Sequence, residues 1–106
     1  MQFRGGMNEL MRQAARMQRK LDEAKKAVAD KELTATSVGD KVKATVTYGK
    51  KVVKVEIDPD FLKAEGIDMA LDGVCAAINA GLELAEKAME AEVEKITGGV
   101  KLPGMT

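Results

Sequence analysis

The sequence predicts an α+β protomer of order α-β-β-β-α, a small antiparallel three-stranded sheet flanked by two long helices. Three observations predict it. The stretch KVKATVTYGKKVVKVEIDPDFL, residues 41–62, alternates apolar and polar residues with period two. Ahead of it, Met7, Leu10, Ala14, Met17, Leu21, Ala24 and Val28 follow a strict three-four spacing. Behind it, Leu71, Val74, Ile78, Leu82, Ala85, Met89, Val93 and Ile96 recur with a period near 3.6.

The central stretch resolves into a hairpin. Val42, Ala44, Val46 and Tyr48 alternate with Lys41, Lys43, Thr45 and Thr47, and Val53, Val55 and Ile57 alternate with Lys54 and Glu56. One face is therefore apolar and the other rich in lysine. Gly49-Lys50-Lys51 makes the turn, with Gly49 available for a positive φ. Asp58 is placed to cap a helix and Pro59 to occupy its first position, so the strand stops at Ile57. Glu32–Val38 alternates weakly and is rich in Thr, which suits an edge strand, and Gly39-Asp40 turns it into the hairpin.

The first helix is expected from about Asn8 to Ala29, because good helix formers fill the positions between the seam residues. At 1.5 Å per residue it is roughly 33 Å long, the full diameter of a globule of this size. After the hairpin, a turn or two over Asp60–Ala64 breaks at Gly66, and Asp68 is a plausible cap for a second long helix ending at Gly98-Gly99. Gly73 and Gly81 inside that helix each cost about 1 kcal/mol against Ala, which implies close approach by another element. The expected organisation is one domain over 1–106: a flexible lead (1–6), a helix (7–30), the sheet (31–57), a helical segment (58–97) and a flexible tail (98–106). Two overlong helices beside so small a sheet cannot bury their stripes within one copy, so a homodimer is expected.

Composition removes several classes of chemistry. The chain of 106 residues has no His and one Cys. The commonest general base and the thiolate zinc sites are therefore absent, and neither a cofactor, a metal nor a small-molecule substrate is expected. Cys75 lies among Val74, Ala76, Ala77 and Ile78 and reads as a buried, inert thiol. No Gly-rich loop precedes a helix, and Gly5-Gly6 and Gly98-Gly99 read as helix punctuation. Glu83, Glu86, Glu90 and Glu94 are spaced as a solvated helix face, so no enzyme is expected. No apolar run suits a membrane, Arg4-Gly5-Gly6 leaves no room for a signal-peptide core, and a reducing cytoplasm fits the single Cys.

Charge is where function shows. Seventeen basic and seventeen acidic residues cancel overall. Residues 1–57, however, hold 13 Lys/Arg against 7 Asp/Glu, a net of +6, and residues 58–106 hold 4 against 10, a net of −6. Arg12, Arg19 and Lys26 recur every seven residues opposite the seam of the first helix, Arg16 and Lys20 widen the row, and Lys25 lies near its end. Such a row can track phosphates without reading sequence. A competing reading pairs Arg19 with Glu23 and Lys26 with Asp22 along the helix, and the two halves with each other within the molecule or across a dimer. With no aromatic residue beside the row, stacking on single-stranded bases is not expected.

The segments GGMNELMRQAARMQRKL, VVKVEIDPDFL and VCAAINAGLELAEKAMEAEVEKITGG with the closing LPGM, in this order, resemble the YbaB/EbfC family of bacterial nucleoid-associated proteins across nearly the whole chain. The resemblance implies a tweezer-shaped homodimer with projecting helical arms, binding and compaction of duplex DNA with little sequence preference, a nucleoid location, and a part in genome organisation or gene regulation. It places the DNA contacts on the arms, here Arg12, Arg16, Arg19, Lys20, Lys25 and Lys26, with Arg4 in the lead. The alternative from the residues alone is a dimeric structural or adaptor protein whose helices recognise a protein partner.

Overall fold

The computed structural model describes the backbone of residues 2–98 and the side chains of residues 6–98. Its elements are α1 (Gln2–Val28), β1 (Glu32–Ser37), β2 (Val42–Thr47), β3 (Val52–Ile57) and α2 (Pro59–Thr97). The sheet is antiparallel in the order β1-β2-β3, with β2 central and β1 on an edge as its Thr-rich sequence suggests. The register sets Ala35 and Val55 either side of Ala44, and Thr34 and Lys54 either side of Thr45, so the apolar set shares one face. On the opposite face Thr45 and Thr47 are buried, their hydroxyls satisfied by Thr34 Oγ1 at 3.2 Å and the Lys51 N–H at 3.1 Å.

α2 lies across the apolar face, but not on its large side chains. Its buried line is Ala70, Gly73, Ala77, Gly81 and Ala85, packed on Val42, Ala44 and Val46, which are fully buried. A Cβ on Gly73 would stand 3.0 Å from Val42 Cγ2 and 3.1 Å from Val38 Cγ2, and one on Gly81 3.2 Å from Val46 Cγ2. The glycines thus let the helix backbone settle onto the valines, and Ser37 Oγ donates to the Gly73 carbonyl at 2.6 Å. This corrects the expected stripe in part: Ala85 and Val93 are buried as expected, but the rest of it is not the line that meets the sheet. Leu71, Val74, Ile78 and Leu82 lie about a quarter-turn round the helix, Leu71 exposed and the other three half-buried. Cys75, expected to be buried, is exposed beside them. The spacing located the amphipathic helix, while the tightest contact selected the smallest residues rather than the most hydrophobic ones.

The ends of α2 follow local chemistry. Asp58 is the N-cap, its carboxylate accepting from Asp60 N–H at 2.8 Å and Phe61 N–H at 3.4 Å, with Pro59 in the first turn. Those backbone hydrogen bonds, Asp60 first, hold the Asp58 carboxyl below its ordinary value of 3.8, with Lys41 assisting at 3.5 Å. A lowered folded-state value means that the cap stabilises fully above 3.8 and loses its contribution as pH falls through the folded value. Asp58→Ala should therefore melt below the parent at neutral pH, with the gap closing in acid. Melting curves across pH test this, and a gap that persists in acid would contradict the cap. Gly66, at φ 85° and ψ 171°, kinks α2 where the sequence broke it, and Gly98, at φ 66°, closes it with its N–H on the Glu94 carbonyl.

One turn and one helix boundary differ from expectation. In the β2–β3 loop the positive φ belongs to Lys50, at 68°, and not to Gly49. Gly49 serves close approach instead, its N–H bonding the Ala29 carbonyl at 3.0 Å where an added Cβ would stand 3.2 Å from that oxygen. α1 begins at Gln2, so Gly5 and Gly6 lie inside the helix rather than ahead of it, and it ends at Val28. Glycine weakens a helix interior without breaking it when good formers flank it. The tail expected over 98–106 lies, beyond Gly98, outside the described residues.

α1 packs on α2 and not on the sheet. It reaches the sheet at the end where α2 leaves it, as Gly49 on Ala29, Lys50–Glu86 at 4.0 Å and Lys31–Glu92 at 3.8 Å all record. The two helices therefore run antiparallel away from the sheet, and the molecule is drawn out to 75 × 21 × 19 Å.

Candidate nucleic-acid interface

The arm formed by α1 and the end of α2 owes its shape to the seam of α1. Leu21 and Val28 are buried against α2 and Met17 and Ala24 half-buried, which fixes the rotation of the helix. At about 100° per residue, Arg12, Arg16, Arg19 and Lys26 then fall on the side opposite Leu21. Arg12, Arg16, Arg19, Lys20, Lys25 and Lys26 are all exposed. Lys20 stands on one flank, and Lys25 lies nearer the α2 side than the row, so the six form a four-residue row with two outliers. From Arg12 to Lys26 the row is about 21 Å long, some six base pairs of duplex at 3.4 Å each. Arg4 lies in the first turns of α1, and its side chain is outside the described residues.

Neutralisation along the helix is slight. Arg12 Nη1 lies 3.8 Å from Glu9 Oε2, with both side chains more than half exposed, a pairing worth little in water. The Arg19–Glu23 and Lys26–Asp22 pairs of the competing reading do not form, and Asp22 instead accepts from Gln18 Nε2 at 3.1 Å. Among the described residues Arg16, Arg19, Lys20, Lys25 and Lys26 make no salt bridge. The acidic half of the chain is answered elsewhere. Glu86 and Glu92 of α2 meet Lys50 and Lys31 at the sheet end of the arm, and Lys95 also reaches Glu92 at 3.2 Å. Pairing between the two halves thus occurs and consumes Lys31, just before β1, and Lys50, in the β2–β3 loop, leaving the α1 row free.

A model of the YbaB/EbfC DNA-binding family matches residues 3–100. The chain belongs to the YbaB/EbfC DNA-binding family. Similar relatives include nucleoid-associated protein CA_C0126 of Clostridium acetobutylicum, 35% identical over 101 residues that cover 95% of this chain and 90% of the relative. Nucleoid-associated protein Teth39_2199 of Thermoanaerobacter pseudethanolicus is 35% identical over 105 residues, covering 97% and 95%. Among solved structures, the uncharacterized protein HP0035 from Helicobacter pylori superposes with a TM-score of 0.68 over 86% of this chain and 96% of that one. At 18% identity that likeness shows the fold alone. Within this fold the basic row is carried by the element furthest from the sheet. Among the described residues, no helix is long and apolar enough to cross a membrane.

A second surface was less legible in the sequence. α2 covers β1 and β2 more fully than β3, so Val52 and Val53 are 46% and 48% exposed, and Val55 and Ile57 are only half-buried. Phe61, Val74 and Ile78 pack beside them against the core, and Leu71, 51% exposed, extends the patch. The signal available was the surplus of large apolar residues on α2, which a helix already seated through glycine and alanine does not need.

Proposed function

We propose that this chain is a non-enzymatic, homodimeric, nucleoid-associated protein that holds duplex DNA through its phosphates with little sequence preference. The observation that carries this is the row Arg12, Arg16, Arg19 and Lys26, exposed, almost unpaired, and mounted on the helix that overhangs the fold. Guanidinium and ammonium groups on a straight helix face meet phosphate oxygens and displace condensed counterions. Among the described residues no loop or aromatic group stands beside the row to read base edges, which supports weak sequence preference. Family membership and the names of the relatives support the DNA partner and the nucleoid location, with organisation of the genome and gene regulation as the consequence.

The homodimer is supported by the uncovered patch of Val53, Val55, Ile57, Leu71, Val74 and Ile78. Closing it against a second copy buries what a monomer would expose and sets two arms on one body. Among the described residues the carboxylate with a lowered pKa, Asp58, owes it to its place as a helix cap. Unrelated duplexes of equal length are expected to bind within about threefold of one another, well inside the thousandfold or more that separates specific from non-specific sites. Competition between random-sequence and defined duplexes measures this. A preference above about a hundredfold for one sequence would contradict it.

A further inference from the structure

The apolar seam of α1 outruns the helix that buries it. Leu21 and Val28 are buried against α2 and Met17 is half-buried, but Ala14 is exposed. Met7 and Leu10, on the same line of the helix, are 60% and 62% exposed, with Met11 beside them at 67%. The three-four spacing runs unbroken through both parts, and a seam this narrow suits packing against one other helix. From Gly6 to Ala14 the open part is about 12 Å long at 1.5 Å per residue.

Two further observations say which helix fits it. Gly6 lies inside α1 on the border of the seam, at a position where glycine weakens a helix. In α2 the same weakness is offset because Gly73 and Gly81 let a neighbour settle on the backbone, 3.0 and 3.2 Å from an added Cβ, whereas one on Gly6 meets nothing within 4 Å. The close approach that Gly6 permits is thus not made within its own chain by the described residues. The seam is also bordered by Gly6 and Gln13 on one side and by Met11 and Gln18 on the other, none of them charged. A second copy of the same helix therefore meets it without like-charge repulsion, while an acidic or a basic partner finds no counter-charge there.

We infer that the tip of the arm docks on the tip of a second copy, α1 against α1 and antiparallel, covering Met7, Leu10 and Met11 of both chains about a twofold axis. Width sets the direction. Packed helix axes come within about 8–10 Å, whereas the molecule is 21 × 19 Å across, so parallel arms would bring their bodies together before the tips closed. Arms meeting tip to tip from opposite directions overlap along the open seam and keep their bodies apart. With three large side chains from each copy the joint is small, which makes it weak and reversible. Arg12, Arg16 and Arg19 point away from the seam, so the joint leaves both basic rows exposed on opposite sides. It stands independently of duplex binding and of the patch around Leu71.

The test uses the full chain with Cys75→Ser and one introduced cysteine, without nucleic acid. One variant carries Leu10→Cys in the seam, and a control carries Arg12→Cys on the opposite side of the helix. A short bismaleimide is expected to link Leu10→Cys chains to each other at least about tenfold faster than Arg12→Cys chains, at a rate that rises with protein concentration. Adding Leu71→Asp should leave that linking in place. In the otherwise native chain, Leu10→Asp is expected to abolish the growth of mass with concentration in sedimentation, with the helix content unchanged. Equal linking rates for the two positions would overturn the inference. A Leu10→Cys rate independent of concentration would also overturn it, because it would bring together the two arms of one dimer instead of two separate molecules.

Discussion

Changing Arg12, Arg16 and Arg19 together to Glu is expected to weaken duplex binding by about a hundredfold or more while leaving the melting temperature and oligomeric state unchanged. The size follows from sign and number. Each substitution removes a cation that would release counterions from DNA and adds an anion that repels a phosphate, and a homodimer carries the change on both arms. Stability should hold because all three side chains are exposed and only Arg12 has an ion pair, at 3.8 Å to Glu9. Surface substitutions of this kind usually fall within about 0.5 kcal/mol. Anisotropy of a labelled duplex with each protein measures the effect, and light scattering checks the oligomer. Affinity retained within about threefold would move the contact surface off α1.

The second large effect concerns the uncovered patch. Leu71 is 51% exposed in one copy, so Leu71→Asp would cost an isolated protomer little. In a homodimer closed through that patch the same change buries an unpaired carboxylate on each side, at about 3–5 kcal/mol per charge. The expected result is a fall in mass from twice 11.4 kDa to 11.4 kDa with the helical signal retained. Duplex binding should weaken as well, because two arms on one body gain an effective concentration that a single arm lacks. A dimer of unchanged affinity in the variant would place the interface elsewhere.

Most of the fold was legible because its signals are local. Asp58-Pro59, Gly66 and Gly98 declare cap, kink and stop through backbone chemistry alone, and the period-two run fixed the hairpin face. Gly73 and Gly81 also announced the close approach they make to Val42 and Val46, but which side of α2 faces the sheet was misread. The face of α2 that meets the sheet is Ala70, Gly73, Ala77, Gly81 and Ala85, because backbone proximity and not hydrophobicity decided it. Cys75 is exposed for the same reason, lying beside Val74 and Ile78 on the side of α2 that the sheet only partly covers. Gly5 and Gly6 remained helical because nothing opposes the helix there, Gly6 having no neighbour within 4 Å of an added Cβ.

At the candidate interface the heptad recurrence of Arg12, Arg19 and Lys26 was enough to place the row opposite the seam, since helix geometry alone sets it. Sequence spacing was not enough to tell which ion pairs form. Arg19–Glu23 and Lys26–Asp22 have the spacing and stay apart, while Lys31–Glu92 and Lys50–Glu86 close between residues far apart in the chain. Those tertiary pairs explain how a chain of zero formal charge can present an unneutralised basic face.

The most direct measurement is the affinity for a random-sequence duplex as a function of salt. With four to five cations engaged on each arm, log affinity should fall linearly with log salt, with a slope of about −4 for one arm and about −8 for two. A slope near zero, or no binding at about 50 mM salt, would contradict phosphate binding by the α1 row.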